Sequence, residues 1–217
     1  MSPSPRGCKA ALSTVSKDTT KNREIGVTLV ELMVTMMLMS IAALVLLALL
    51  NAALGIMREV QARSEADGEA QLTISTLAWE IRSARSLDSS QPIIETALPV
   101  EIVLYRGGTL EGAPTRYRYY QSGAKLLKVY ETAQAGGPPW VFTGVTTVAE
   151  IGRYIVNDSS TPIFSYFDGN GVEITGQTAA ERAKIRLVRI NIRCDVDISK
   201  PPPPANVTRE VSLRNYE

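Results

Sequence analysis

The sequence predicts an α+β protein in which one long N-terminal transmembrane α-helix precedes, and packs on, a small antiparallel β-sheet domain. Three observations carry that expectation. Residues 32–57 contain no charge, and a helix of that length rises roughly 39 Å, more than a hydrocarbon core of about 30 Å requires. Beyond them apolar residues recur with helical spacing, and from Val100 the period shortens to that of strands. A chain of 217 residues has room for one ordinary domain beside such a segment.

The chain divides into four stretches: 1–26, 27–57, 58–90 and 91–217. The first holds five basic and two acidic residues, which leaves 18 basic and 20 acidic residues for the remainder. That asymmetry keeps the N-terminus cytoplasmic and the rest exported. Residues 1–25 lack the apolar run that a discarded secretory signal places before its cut, whereas the apolar run here follows Gly26 and would be retained. An uncleaved N-in anchor is the plain alternative.

The order Gly26-Val27-Thr28-Leu29-Val30-Glu31, opening a long apolar helix, resembles the cleavage and methylation motif of type IV prepilins and type II secretion pseudopilins. The resemblance implies the pilin fold and processing after Gly26 by a prepilin peptidase. Val27 would become the N-terminus and be N-methylated, and Glu31 would act in assembly. It also implies as partners other pilin or pseudopilin subunits through the N-terminal helix, an inner-membrane assembly platform and membrane lipid. The implied location is the cytoplasmic membrane first and an extracytoplasmic pilus or pseudopilus afterwards. Val27 stands where the family most often has phenylalanine, and Ala48 where many major pilins have proline. The sequence is most similar to J-type minor pseudopilins or the corresponding minor pilins, which prime or cap the filament tip. A competence pseudopilin and a membrane-anchored adhesin or DNA-binding module are the alternatives.

Glu31 is an expense that asks for a reason. The positive end of its own helix offers about 0.3–1 kcal/mol, less than the ~2.5–3.5 kcal/mol assigned to a carboxylate at a bilayer centre. A partner charge is expected, and the ammonium created at Val27 by cleavage, on a neighbouring subunit, is the candidate.

In the third stretch charges return at Arg58, Glu59, Arg63, Glu65, Asp67 and Glu69, while Ala70, Ile74, Leu77, Ala78 and Ile81 keep the spacing of one helical face. The helix is expected to run to about Leu87, before Ser89, Ser90 and Pro92. Gly55 and Gly68 would bend it, admit a close neighbour, or do neither.

In the fourth, a strand is expected from Val100 to Arg106 and a hairpin from residues 116–119 and 126–130 around Ser122-Gly123. Gly136, Gly137, Pro138 and Pro139 read as a surface loop or a subunit contact. Residues 163–167 and 172–174 read as strands around the turn Asp168-Gly169-Asn170-Gly171. The pattern Phe164-x-Tyr166-x-Asp168-x-x-Gly171 resembles a segment of minor pseudopilin domains, as does the ending from Val211. Residues 184–193 alternate except at Leu187-Val188, where a bulge is expected, with Ile185, Leu187, Ile190 and Ile192 inward and the arginines outward. After the stiff loop Pro201 to Pro204, residues 206–213 read as the last strand, antiparallel to the one before.

The sequence has no histidine, which removes the commonest metal ligand and general base. Cys8 precedes the expected cut and Cys194 follows it, so the mature chain would hold no internal disulfide. No nucleophile, base and orienting group stand together, so an enzyme is not expected, nor a cofactor, nor a metal. Asp168, Asn170 and Glu173 offer oxygens to calcium, but a turn explains them better. Arg106, Arg116, Arg118, Lys125 and Lys128 among Tyr117, Tyr119 and Tyr120 admit a nucleic-acid face. A solvated sheet face is preferred for a mature chain that is net negative.

Overall fold

The computed structural model describes residues 28–87, 91–107, 113–134, 139–142, 147–199 and 202–214. The chain forms two compact units, Met1–Leu50 and Asn51–Glu217. Helix α1 (Leu29–Arg82) contributes to both.

In the first unit every described residue of α1 is exposed. In the second, the helix buries one stripe, Ala66, Ala70, Thr73, Ile74, Leu77, Ala78, Glu80 and Ile81. The five apolar positions expected from their spacing are all in it. Gly55 and Gly68 lie within the helix, and no neighbouring side chain lies within 4 Å of where a Cβ would stand.

The helix is shorter than its sequence suggests, ending at Arg82 rather than near Leu87. Competition for backbone groups explains the early stop. The Ser83 hydroxyl donates to the Glu80 carbonyl at 2.9 Å, and the Arg85 N–H turns away to the Tyr105 carbonyl at 2.8 Å. A strand thereby takes the donor that another helical turn would need.

Two antiparallel sheets form in place of one. The first has the order β1 (Ile94–Leu98), β2 (Glu101–Arg106), β3 (Thr115–Ser122), β4 (Lys125–Thr132), β5 (Thr147–Arg153), each strand beside the next. The hairpin β3–β4 is in the expected place, and Gly123 at its turn has φ +58°, a conformation that suits a residue without Cβ. Strands β1 and β5 were not anticipated. The second sheet is β6 (Phe164–Phe167), β7 (Leu187–Cys194), β8 (Ala205–Ser212), with the last two antiparallel as expected. One hydrophobic cluster joins the helix stripe to Ile102, Leu104, Tyr119 and Leu126 of the first sheet and to Val188, Ile190 and Ile192 of the second.

Two expectations for this second sheet need correction. No bulge occurs at Leu187-Val188, because the strand begins there and pairs in unbroken register with β6 and β8. Val188, Ile190, Ile192 and Cys194 are its buried face, Leu187 is half-buried, and Ile185 is buried from the segment before the strand. A short helix, α2 (Ala179–Arg182), with a Thr178–Glu181 capping box, precedes that segment. Residues 172–174 form no strand. They return to β6 through a single bridge, Phe167 to Glu173, and through the Ile174 N–H to the Tyr166 carbonyl at 2.8 Å. Gly136, Gly137 and Pro138 lie outside the described residues.

Candidate processing and assembly site

Thr28 begins the site. Its hydroxyl oxygen accepts the Glu31 backbone N–H at 3.2 Å, and its carbonyl accepts the Leu32 N–H at 3.0 Å. This satisfies donors that a helix start otherwise leaves open and makes Thr28 the residue before the first turn. Glu31 therefore falls in that turn, with its carboxylate toward the positive end of the helix dipole. Its side chain is exposed, and no ion pair engages it among the described residues. Gly26 and Val27 lie outside the described residues.

Past Glu31, α1 is long and apolar enough to cross a membrane by length and composition. Its hydroxyls turn inward to the backbone: Thr35 donates to the Leu32 carbonyl at 2.9 Å, and Ser40 to the Met36 carbonyl at 2.8 Å. These two hydroxyls are thus satisfied within the helix, as an apolar surround demands. Glu31 is left as the one charged side chain of α1 before Arg58.

The basic residues of the first sheet are each held by a carboxylate. Arg116 meets Glu95 through two bonds of 2.6 Å and Glu131 at 3.3 Å. Arg118 meets Glu101 at 2.9 Å, and Lys125 meets Glu150 at 2.5 Å. Hydrogen bonds to Glu95 and Glu101 push the two guanidinium groups further up from their already high pKa values. Burial, then Glu95, likewise holds the Tyr105 phenol well above its usual value. Arg106 and Lys128 both pair with Glu80 on the helix, Lys128 at 2.5 Å. Register places Tyr119 opposite Lys128 and Arg118 opposite Val129, so these cations divide between the two faces of the sheet. A stacking-plus-phosphate surface calls for free cations on one face.

Glu80 is the residue that sequence reasoning missed. It is 4% exposed and sits between two cations. Arg106 in turn lies over the Trp79 ring at 4.6 Å and over the Tyr117 ring at 5.3 Å. Among the described residues the Tyr119 hydroxyl is buried without a hydrogen-bond partner, and burial, then the charge of Glu80, hold its pKa far up. The signal was present as a glutamate inside the apolar stripe, between Ala78 and Ile81.

The Asp168 turn closes on itself. Its Oδ1 accepts the N–H groups of Asn170 and Val172, each at 2.8 Å, and the Val172 N–H is the main reason its pKa is lowered. Gly171 has φ +81°. Among the described residues no three of His, Cys, Asp and Glu gather as metal ligands. Burial pushes the Cys194 thiol up to about 12, which leaves it a small apolar group at neutral pH.

A family model described as the prokaryotic N-terminal methylation motif matches residues 21–47, a span that encloses Gly26, Val27 and Glu31. No curated protein matches the chain. The motif, with the apolar helix that follows it and the α+β fold beyond, supports a type IV pilin-like protein that fits membrane anchoring through that helix.

Proposed function

We propose that the chain is a minor pilin or pseudopilin of a type IV pilus or type II secretion pseudopilus, priming or capping the filament tip after a prepilin peptidase cuts behind Gly26. The observation that carries this reading is a methylation motif opening a helix whose residues 29–57 are apolar on all sides but for Glu31 and a few small polar side chains. In the precursor, lipid surrounds that helix. In the filament, the helices of other subunits replace the lipid. Two further features favour a tip subunit over a major one. Ala48 stands where many major pilins have proline, and the stretch Phe164 to Gly171 has the pattern seen in minor pseudopilin domains.

Glu31 then acts as the assembly residue. Its carboxylate costs more in an apolar surround than the helix dipole returns. The Val27 ammonium of a neighbouring subunit, which exists only after cleavage, supplies the opposite charge. Assembly is thereby coupled to processing. Glu31→Ala is expected to leave membrane insertion and leader removal intact while lowering incorporation into sheared filaments or tip complexes. Equal incorporation of variant and wild type would remove Glu31 from the mechanism. A cleaved chain that stays with the membrane when filaments are sheared off would favour an anchored adhesin instead.

A further inference from the structure

Three of the four sheet edges are closed from within the chain. Along β5, the Thr73 hydroxyl donates to the Ile151 carbonyl at 3.1 Å and the Glu69 carboxylate accepts the Arg153 N–H at 3.0 Å. Beside β1, the Gln177 side-chain amide donates to the Ala97 carbonyl, and the Pro99 carbonyl takes the Phe164 N–H at 2.9 Å. That second bond also covers β6, whose Tyr166 carbonyl accepts the Ile174 N–H. An open edge is a template for pairing with another chain, so such closure is the usual state of a folded protein.

The outer edge of β8 differs. The Leu213 N–H donates to the Arg186 carbonyl at 2.9 Å, which sets the alternation of the ladder. The odd-numbered residues of β8 therefore bond to β7, and the even-numbered ones aim their backbone N–H and C=O groups away from it. Those are Asn206, Thr208, Glu210 and Ser212, all exposed. Among the described residues none of their backbone groups on that side finds a partner.

Charge selects the occupant. Glu210 is neutralised by Arg189 at 2.8 Å on the outward face. Arg209 projects on the other face, opposite Ile190 of β7, exposed and without an ion pair among the described residues. Two positions back on the same face lies Val207, partly buried opposite Ile192. Two copies of the chain pairing about Arg209 would set like charges opposite each other, which is destabilising. We propose that β8 receives an extended segment of another protein as an added strand, with a carboxylate side chain opposite Arg209 and an apolar one opposite Val207. Main-chain bonds to Asn206, Thr208, Glu210 and Ser212 hold the segment, and the alternation of apolar and acidic side chains selects it. This surface stands on the geometry and charge of the second sheet and not on the methylation motif, so its failure would leave the filament reading untouched.

The test is amide hydrogen exchange on the purified full-length chain in detergent, with a synthetic peptide repeating Thr-Val-Thr-Glu as probe and the Thr-Val-Thr-Lys peptide as control. The outward amides of β8 exchange fast in the free chain and slow by about tenfold or more with the glutamate peptide only. Thr208→Pro, which removes an outward N–H and no backbone bond to β7, only the hydroxyl's bond to the Asn191 side chain at 3.3 Å, abolishes that protection. Arg209→Glu transfers the preference to the lysine peptide. The proposal is overturned if the amides are already protected in the free chain at every concentration, since its own residues then close the edge. Protection that rises with protein concentration alone overturns it in favour of a second copy. So does equal protection by both peptides, or protection that survives Thr208→Pro.

Discussion

Within α1, residues 29–50 are apolar but for Glu31 and a few small polar side chains and are exposed on every side, whereas residues 66–81 bury a single stripe and, apart from Leu72 and Trp79, carry small, charged or polar groups elsewhere. The second half needs only its own sheets, because a helix with one apolar face is satisfied by one packed layer. The first half has no face to choose. A helix that is apolar all round calls for a surround that is apolar all round, which lipid or the helices of other subunits supply. One continuous element thus presents two kinds of surface, and substitutions should separate them.

The largest effect is expected at Glu80. Glu80→Ala leaves Arg106 and Lys128 without their shared carboxylate beneath the helix, and should cost about 3–5 kcal/mol of domain stability in denaturant unfolding. Leu77→Ala opens a cavity in the stripe and should cost about 3–4 kcal/mol in the same measurement. Leu44→Ala, in the other half, should leave that unfolding transition where it is. The first half answers to a different assay. Leu44→Arg should weaken membrane integration by about 2.5–3.5 kcal/mol, read as chain released by alkaline carbonate extraction. Such an arginine extracted no more readily than wild type would deny the first half its apolar surround.

Smaller effects sharpen the contrast inside the folded unit. A Cβ on Gly152 would stand 2.7 Å from the Thr73 hydroxyl oxygen and 2.8 Å from its methyl carbon. Threonine is short and stiff and this one is already bonded to Ile151, so Gly152→Ala should destabilise by about 1–3 kcal/mol. Gly68→Ala meets nothing within 4 Å and should gain up to about 1 kcal/mol from helix propensity. The two melting temperatures should move in opposite directions.

What the sequence disclosed follows from where a single physical rule governs. The stripe from Ala70 to Ile81 was legible because helical periodicity alone decides it. The β3–β4 hairpin was legible because alternation and a Gly123 turn agree. Ile94 to Leu98 escaped, since its Glu95-Thr96-Ala97 centre lacks the enrichment of a strand and pairing with β2 supplies the order. Leu187-Val188 misleads because the apolar alternation already begins at Lys184, whereas the Arg186 N–H is committed to the Phe167 carbonyl before the strand begins. In the candidate site, Glu31 stood out as a charge in an apolar run. Glu80 stands inside an apolar stripe too, but its two cations come from strands 26 and 48 residues away in the chain, a proximity that no local pattern encodes.

Processing behind Gly26 is tested most directly by the mass of the membrane-bound protein from cells with an active prepilin peptidase. That protein should begin at Val27, with a methyl group on the new amine. Recovery of the intact 217-residue chain from such cells would contradict it.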